Sequence, residues 1–443
     1  MKNAAAYAEK LHGMEGQTLL AELDGETRDF VRRVATDYRL TFQELRQVTQ
    51  AARDLAMWRE AHLESWWEEA EQAIAGSGRE RKKALMARLE QHLAGLAAGE
   101  KAYPAAGLSG PPRLRVKLAE RASSATVFGR CAAYSDKTVC CGLQTIDAVM
   151  GCSFACSYCT IQTFYGDTAE LQEDLPAKLA AIDLDPERVY HIGTGQASDS
   201  LVWGNRAGIL EALLDFAARH PNVLLELKTK SDNVRYLLDR DVPGNVVCSW
   251  SLSTDVLIRN EEHGTASLER RLAAAQAMAE HCGRVAFHFH PMVYYQGWRE
   301  DYGAVAAALL SRFSPQQVAF LSMGSVTLIK PVAQEIRRRG GETKILQMEM
   351  DTDPHGKLTY PHSRKVELFR HLYEALQPWH DEVFMYLCME TDAVWQDVFG
   401  RSYPTNDAFE QDFARCCHLA DDGKNTQKVP GEGAIGCYNS PQL

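Results

Sequence analysis

Residues 151–166 constrain this chain more than any other stretch: Gly-Cys-Ser-Phe-Ala-Cys-Ser-Tyr-Cys-Thr-Ile-Gln-Thr-Phe-Tyr-Gly. Cys152, Cys156 and Cys159 stand at the spacing C-x3-C-x2-C, which lets one short loop wrap three corners of a cubic iron-sulfur cluster. Three thiolates leave one iron without a protein ligand. Electron-transfer clusters usually have four cysteine ligands, so an open iron points to a site where a small molecule binds. The same spacing also allows a zinc site with a distant fourth ligand, or plain reduced thiols.

Composition narrows the setting. At 443 residues, 45% apolar and 24% charged, the chain has the balance of an ordinary soluble globular protein with room for two or three domains. No uninterrupted apolar run is long enough to span a bilayer, and the N-terminus lacks a signal peptide's apolar core. A cytoplasmic protein with no membrane partner is therefore expected. The twelve cysteines suit metal chemistry in a reducing compartment better than a secreted disulfide framework. The net charge of −11 argues against a broad nucleic-acid surface but not against a local basic groove.

Taken in order, residues 1–102 read as an all-helical region with segments near 3–23, 25–75 (broken near Thr41) and 79–98. Trp58, Trp66 and Trp67 read as helix-packing aromatics rather than a substrate platform. Arg79, Arg81, Lys82 and Lys83 read as a solvated face rather than a phosphate site. Residues 103–142 read as a linker and lead-in, opened by a turn-rich stretch at 103–112. From 143 to 330, strand-like runs at 143–150, 188–194, 223–229, 245–253, 284–293 and 318–325 alternate with helical ones, notably 206–219, 267–281 and 302–312. Six such units predict a parallel sheet with covering helices, with functional residues where the strands end. Polar residues do gather there, in Gly193 to Asp199, Lys228-Thr229-Lys230, Ser251 to Thr254 and His288-Phe289-His290-Pro291. His288 and His290 share one face and are either ligand-facing or satisfied core histidines. Residues 331–443 read as a C-terminal extension with a strand at 344–353, a hairpin tip at 355–361, a helix at 363–377 and a strand at 382–390. A loop-like tail holding Cys416, Cys417 and Cys437 follows.

In these motifs the chain resembles the radical S-adenosylmethionine (radical SAM) enzymes, and among them the spore photoproduct lyase group. The likeness runs from about residue 150 to 390. It rests on Cys156-Ser157-Tyr158-Cys159-Thr160-Ile161-Gln162-Thr163, on Ser198-Asp199 and Thr229-Lys230, on Ser251 through Glu262-His263-Gly264-Thr265 to Arg270-Arg271-Leu272-Ala273-Ala274-Ala275, and on Pro291 to Trp298. The resemblance implies an α/β fold with a partial (β/α)6 radical SAM barrel; the N-terminal all-helical region and the Cys-rich C-terminal extension lie outside the resemblance. It also implies that Cys152, Cys156 and Cys159 hold a [4Fe-4S] cluster whose open iron is chelated by S-adenosyl-L-methionine (SAM). Tyr158 would lie against the adenine, and Ser198, Asp199, Lys230 and Thr254 would contact SAM. An electron from the cluster, delivered by a donor such as flavodoxin or ferredoxin, would split SAM into methionine and a 5'-deoxyadenosyl radical.

Two departures bear on function. The lyases carry a cysteine just before their Thr-Ser-Asp motif that returns a hydrogen atom to the product radical; here Gln196 and Ala197 stand there. They also carry a tyrosine directly after the third cluster cysteine, where this chain has Thr160. The radical is thus expected to form but to be quenched differently. Cys416, Cys417 and Cys437 are candidates for the missing donor, for a second metal site with Cys140 or Cys141, or for free thiols. The expected function is hydrogen abstraction from an organic substrate, a small molecule or peptide in a biosynthetic pathway rather than DNA. The alternatives are lyase-like repair of thymine dimers in DNA, and a non-catalytic iron-sulfur or zinc protein that binds nucleic acid through its helices.

Overall fold

The computed structural model describes residues 2–110, 116–121 and 126–417. Runs that are apolar on both faces bury as strands of a parallel sheet. Val223–Thr229, Val246–Ser251, Val285–Met292 and Val318–Ser325 are of this kind and almost wholly buried. They lie within an eight-stranded sheet ordered Phe384–Leu387, Val318–Ser325, Val285–Met292, Val246–Ser251, Val223–Thr229, Tyr190–Gly193, Gln144–Ile146, Phe128–Arg130. Every neighbouring pair is parallel except the last. The helices Ile209–Arg219, Leu268–Cys282 and Trp298–Arg312 connect these strands, giving the parallel sheet with covering helices that the alternating pattern predicts, curled into a half-barrel as the resemblance implies.

The structure corrects several expected boundaries. The run 143–150 is not one strand. Gln144–Ile146 joins the main sheet, whereas Val149–Met150 pairs antiparallel with Thr168–Gln172, which in turn pairs with Lys117–Arg121. Between the two pieces the Asp147 amide bonds Val127 O instead of a ladder partner. The sheet also runs beyond residue 330, because Phe384–Leu387 forms its edge beside Val318–Ser325. Of the expected strand at 344–353 only Asp351–Thr352 is extended, in a hairpin with Leu358–Thr359. Finally, Asn406–Cys417 is a helix rather than a loop. Its Phe409 and Phe413 pack on Phe384, Tyr386 and Phe320, so Cys416 and Cys417 end a helix, and Cys437 lies outside the described residues.

Helices Lys2–Glu15, Gly25–Tyr38, Phe42–Trp58, Leu63–Ala73 and Gly78–Ala98 pack around Val31, Leu45, Val48, Leu55, Trp67 and Leu85. Thr41 and Glu44 form a capping box that starts the Phe42–Trp58 helix at the expected break. Arg59, at φ +56°, ends it at a second break that no turn residue announces. Among the described residues no helix is long and apolar enough to cross a membrane.

Candidate active site at the cysteine loop

The loop that carries Cys152, Cys156 and Cys159 is fixed at both ends. It starts at Gly151, whose φ is +100° and where a Cβ would stand 3.0 Å from Ala169 Cα, so a side chain there is strained on two counts. Gly151 N donates to Ala197 O at 2.9 Å, and Gly151 O accepts from Ser198 Oγ at 2.6 Å. Further on, Ala155–Cys156 pairs antiparallel with Glu262–His263.

Two buried carboxylates stand behind this pairing. Glu261 accepts from Tyr103 Oη at 2.8 Å, Thr343 Oγ1 at 2.5 Å, Lys344 N at 2.9 Å and Ser157 Oγ. Glu262 accepts from Ser253 Oγ at 2.7 Å and from Tyr158 Oη, and pairs with the fully buried Arg271 at 2.5 Å. Burial pushes the Glu262 carboxyl up, but Arg271 and Lys230 override it and hold it below the ordinary range. Arg271 directs its other N–H groups at Ala266 O, Ser251 O and Thr265 Oγ1. The Glu-His-Gly-Thr stretch and Arg271 are thus the back wall of the cysteine loop, whereas Arg270 turns outward to Asp232.

The loop and the strand ends enclose an open cleft of about 260 Å³. The structure brings Cys152, Cys156, Cys159, Tyr158, Ser198, Asp199 and Lys230 to its lining, together with Thr160, Gln196, Lys228 and His290. Lys230 Nζ stands 5.8 Å from the centre of the Tyr158 ring. Not every expected contact residue is free to meet a ligand. Asp199 Oδ1 accepts from Leu201 N, Val202 N and Thr229 Oγ1, and its Oδ2 from Lys230 N, so the carboxylate clamps two strand-end loops together. Ser198 Oγ donates to the cysteine loop and accepts from Trp203 Nε1 at 3.0 Å. Thr254 does not line the cleft: its hydroxyl caps the Asp255–Glu261 helix and meets Tyr295 Oη at 2.7 Å. Cys416 and Cys417 do not line it either. The Cys417 thiol donates to Ala319 O at 3.4 Å, near the start of its strand and away from the strand ends, so neither Cys416 nor Cys417 supplies the expected active-site thiol, and Cys437 lies outside the described residues.

Behind the cleft runs a polar network that sequence reading did not assemble. His288 is buried in the core, with Nε2 2.5 Å from Glu226 Oε1 and Nδ1 2.5 Å from Ser322 Oγ. His290, two residues on, faces the cleft; its Nε2 is 3.1 Å from Ser322 Oγ and its Nδ1 3.5 Å from Lys228 Nζ. Gly324 makes room for that ring, since a Cβ there would lie 3.1 Å from His290 Nε2. Of the two histidines, then, one is a satisfied core residue and one meets the cleft. The signal in the sequence is Glu226, set within the apolar run that precedes Lys228 and two residues from it, hence on the same interior face.

With this geometry in view, the family model for spore photoproduct lyase matches residues 136–377, more than half of the chain. The spore photoproduct lyase of Geobacillus sp. (strain Y412MC61) is 24% identical over 208 residues, covering 45% of this chain and 61% of that protein. The Bacillus subtilis (strain 168) lyase is 26% identical over 158 residues, covering 34% and 46%. The chain therefore matches less than two thirds of the length of these curated relatives. A solved spore photoproduct lyase complexed with dinucleoside spore photoproduct aligns with TM-score 0.52 and 20% identity over 61% of this chain and 81% of that one. A mutant of that lyase with bound AdoMet and dinucleoside spore photoproduct gives the same TM-score over 62% and 82%, a likeness of fold. On the strength of the match over residues 136–377, the chain belongs to the spore photoproduct lyase family.

Proposed function

We propose that the chain is a radical SAM enzyme in which Cys152, Cys156 and Cys159 hold a [4Fe-4S] cluster and the adjoining cleft holds SAM. The observation that carries this reading is the convergence of the three thiols with Tyr158, Asp199 and Lys230 on one cleft at the ends of parallel strands, where such folds do their chemistry. The donor set fits the cluster. Burial raises all three thiols, that of Cys152 to about 12, so protein alone would leave them protonated, and a cationic iron centre is what makes them thiolates. Backbone N–H groups of Phe154 and Asp199 at Cys152, and of Ile161 and Gln162 at Cys159, supply the donors that sulfur ligands of such clusters use. A zinc ion needs ligands that converge on one point, and among the described residues no group of three His, Cys, Asp or Glu does so. A cubane binds its three thiolates at separate corners and lets them stand apart.

When bound, the cluster and SAM supply one-electron cleavage of a carbon-sulfur bond and a carbon radical able to take a hydrogen atom. The chain's own share is binding, orientation and exclusion of water. Tyr158, its hydroxyl held by Glu262, offers an aromatic face to an adenine, with the Lys230 ammonium beside it. Asp199 acts by fixing the spacing of the loops around the site rather than by touching SAM. An electron carrier such as flavodoxin or ferredoxin would supply the electron.

For the substrate, an organic small molecule or peptide fits best, because the two positions that depart from the lyases, Thr160 and Gln196, both line the cleft. Repair of a DNA photoproduct is the second reading, favoured by the family match and by the dinucleoside in the solved relatives. The test is anaerobic reconstitution with iron and sulfide, reduction with dithionite, and measurement of 5'-deoxyadenosine from SAM. Wild type should form it and Cys156→Ala should not. Iron-loaded protein that never cleaves SAM would refute the reading. Adding dinucleoside spore photoproduct separates the two substrates: its conversion to the thymine dinucleotide supports repair, whereas SAM cleavage that leaves it intact supports the first reading.

A further inference from the structure

Buried polar groups inside a parallel barrel are costly unless each is partnered, yet one interior face here carries an unbroken line of them. Glu226 lies fully buried between His191 Nε2 at 2.8 Å and His288 Nε2 at 2.5 Å, with Ser249 Oγ also donating at 2.5 Å. With Glu226 ionised and Lys228 an ammonium, one set of proton positions along the line satisfies its contacts, with the Tyr386 hydroxyl as a further partner of Ser322. His288 must then donate through Nε2, leaving Nδ1 to accept from the Ser322 hydroxyl at 2.5 Å. The Ser322 oxygen accepts from His290 Nε2 at 3.1 Å, and His290 Nδ1 accepts from the Lys228 ammonium at 3.5 Å. The line therefore has a direction, from a cation on the cleft wall to an anion in the core. The strand register His288 to Ser322 and the alternation of Glu226 with Lys228 and of His288 with His290 hold the groups in order.

We propose that Lys228 is an acid-base residue of the cleft, and that His290, Ser322 and His288 form a proton wire joining it to Glu226. A ligand with an acidic O–H or N–H beside Lys228 gives its proton to Nζ as Lys228 passes one to His290 Nδ1, His290 Nε2 to Ser322, Ser322 to His288 Nδ1, and His288 Nε2 to Glu226. One proton leaves the ligand and one rests on Glu226 only while the ligand anion lies against the Lys228 ammonium; it returns along the same path on reprotonation, because Glu226 keeps hydrogen bonds from His191 and Ser249 that favour its carboxylate. The inference names the substrate class as one with such a group near its reacting carbon. It takes the cleft as the reaction space, as the proposed function does, but its test needs neither iron nor SAM, so the two can fail separately.

The charged and titratable groups facing Lys228 are Glu226 and Lys230 on its own strand and segment, His288 and His290 on the next strand but one, and Cys131 and Cys388. Glu226 among them favours the ammonium form. In the full-length protein, the pH-dependent acetylation of Lys228 by acetic anhydride, read by peptide mass spectrometry, reports its free amine. Glu226→Gln should raise the rate at neutral pH by about tenfold, equivalent to a pKa lower by one. An unchanged rate in a folded Glu226→Gln protein would overturn the coupling. Histidine 15N spectra test the wire itself without that variant. His288 and His290 should show the same tautomer, each protonated on Nε2. In Ser322→Ala both tautomers should hold, since Lys228 and Glu226 still fix them, while the Nε2 signal of His290 and the Nδ1 signal of His288 shift as each loses its partner. Opposite tautomers in the wild type, or an unmoved His290 in Ser322→Ala, would mean that Ser322 does not link them and would overturn the proposal.

Discussion

Glu226 and His288 make the interior of the barrel sensitive to acid. Burial pushes the Glu226 carboxyl up, but His288 and His191 override it and hold it well below the usual carboxylate range. Burial also pushes His288 down, from about 6.5 to about 4, with the nearby Lys228 adding to the effect. The signs combine in one direction. Between pH 6.5 and 4 the unfolded chain binds a proton at residue 288 that the folded chain refuses, so stability falls as pH falls through that window, by roughly 3 kcal/mol in total. Glu226 contributes fully above the ordinary carboxylate range, and its share is lost on further acidification, as pH falls toward its depressed folded value. Urea unfolding at pH 7, 5.5 and 4 should show this decline. A His288→Gln variant should start lower at pH 7, because it breaks two buried hydrogen bonds, yet lose less between pH 6.5 and 4. A wild-type curve that is flat across the window would contradict the assignment of a neutral buried imidazole.

Among the elements, the cysteine loop depends on its first residue. Gly151→Ala would force a side chain into the left-handed region and to within 3.0 Å of the Thr168–Gln172 backbone. The expected loss is about 1 to 3 kcal/mol, with a larger fall in the iron retained after reconstitution than in the melting temperature. Equal iron content in wild type and variant would show that the loop tolerates the shift. The same loop shows what a sequence can reveal. Its cysteine spacing is local, so the three candidate ligands were legible, as were the five strands from 188 to 325, whose apolar runs are buried on both faces. The run at 143–150 misled because Asp147 sits inside it without breaking its apolar look. The helix Asn406–Cys417 is hard to see in the sequence although Phe409 and Phe413 stand one turn apart, because it runs directly into a polar, glycine-rich stretch. The wire from Lys228 to Glu226 was out of reach for another reason: its links join residues 32 to 62 positions apart, and only strand register creates them.

For the whole molecule, the N-terminal helices are part of the support of the cleft. Arg337 forms a two-bond pair with Asp54 at 2.6 and 2.9 Å, and Arg53 donates to Arg337 O and Gly341 O. Met57 O accepts from Thr343 N at 2.9 Å, and Glu60 takes Lys344 Nζ at 2.8 Å. Thr343 and Lys344 in turn hold Glu261, which holds Ser157 in the cysteine loop. Burial raises the Asp54 carboxyl despite the guanidinium beside it, so the intact pair adds little over an apolar contact of the same shape. Half a pair is different. Asp54→Ala would leave the Arg337 side chain, 12% exposed, without its counter-charge, at a cost of about 3 to 5 kcal/mol. The double variant Asp54→Leu with Arg337→Met removes both charges and should recover most of that loss. Urea unfolding measures the stabilities. Limited proteolysis of the Asp54→Ala protein should show faster cutting near residues 337–344 as the docked segment loosens. If Asp54→Ala unfolds at the same urea concentration as wild type, the helices rest on the barrel without supporting it.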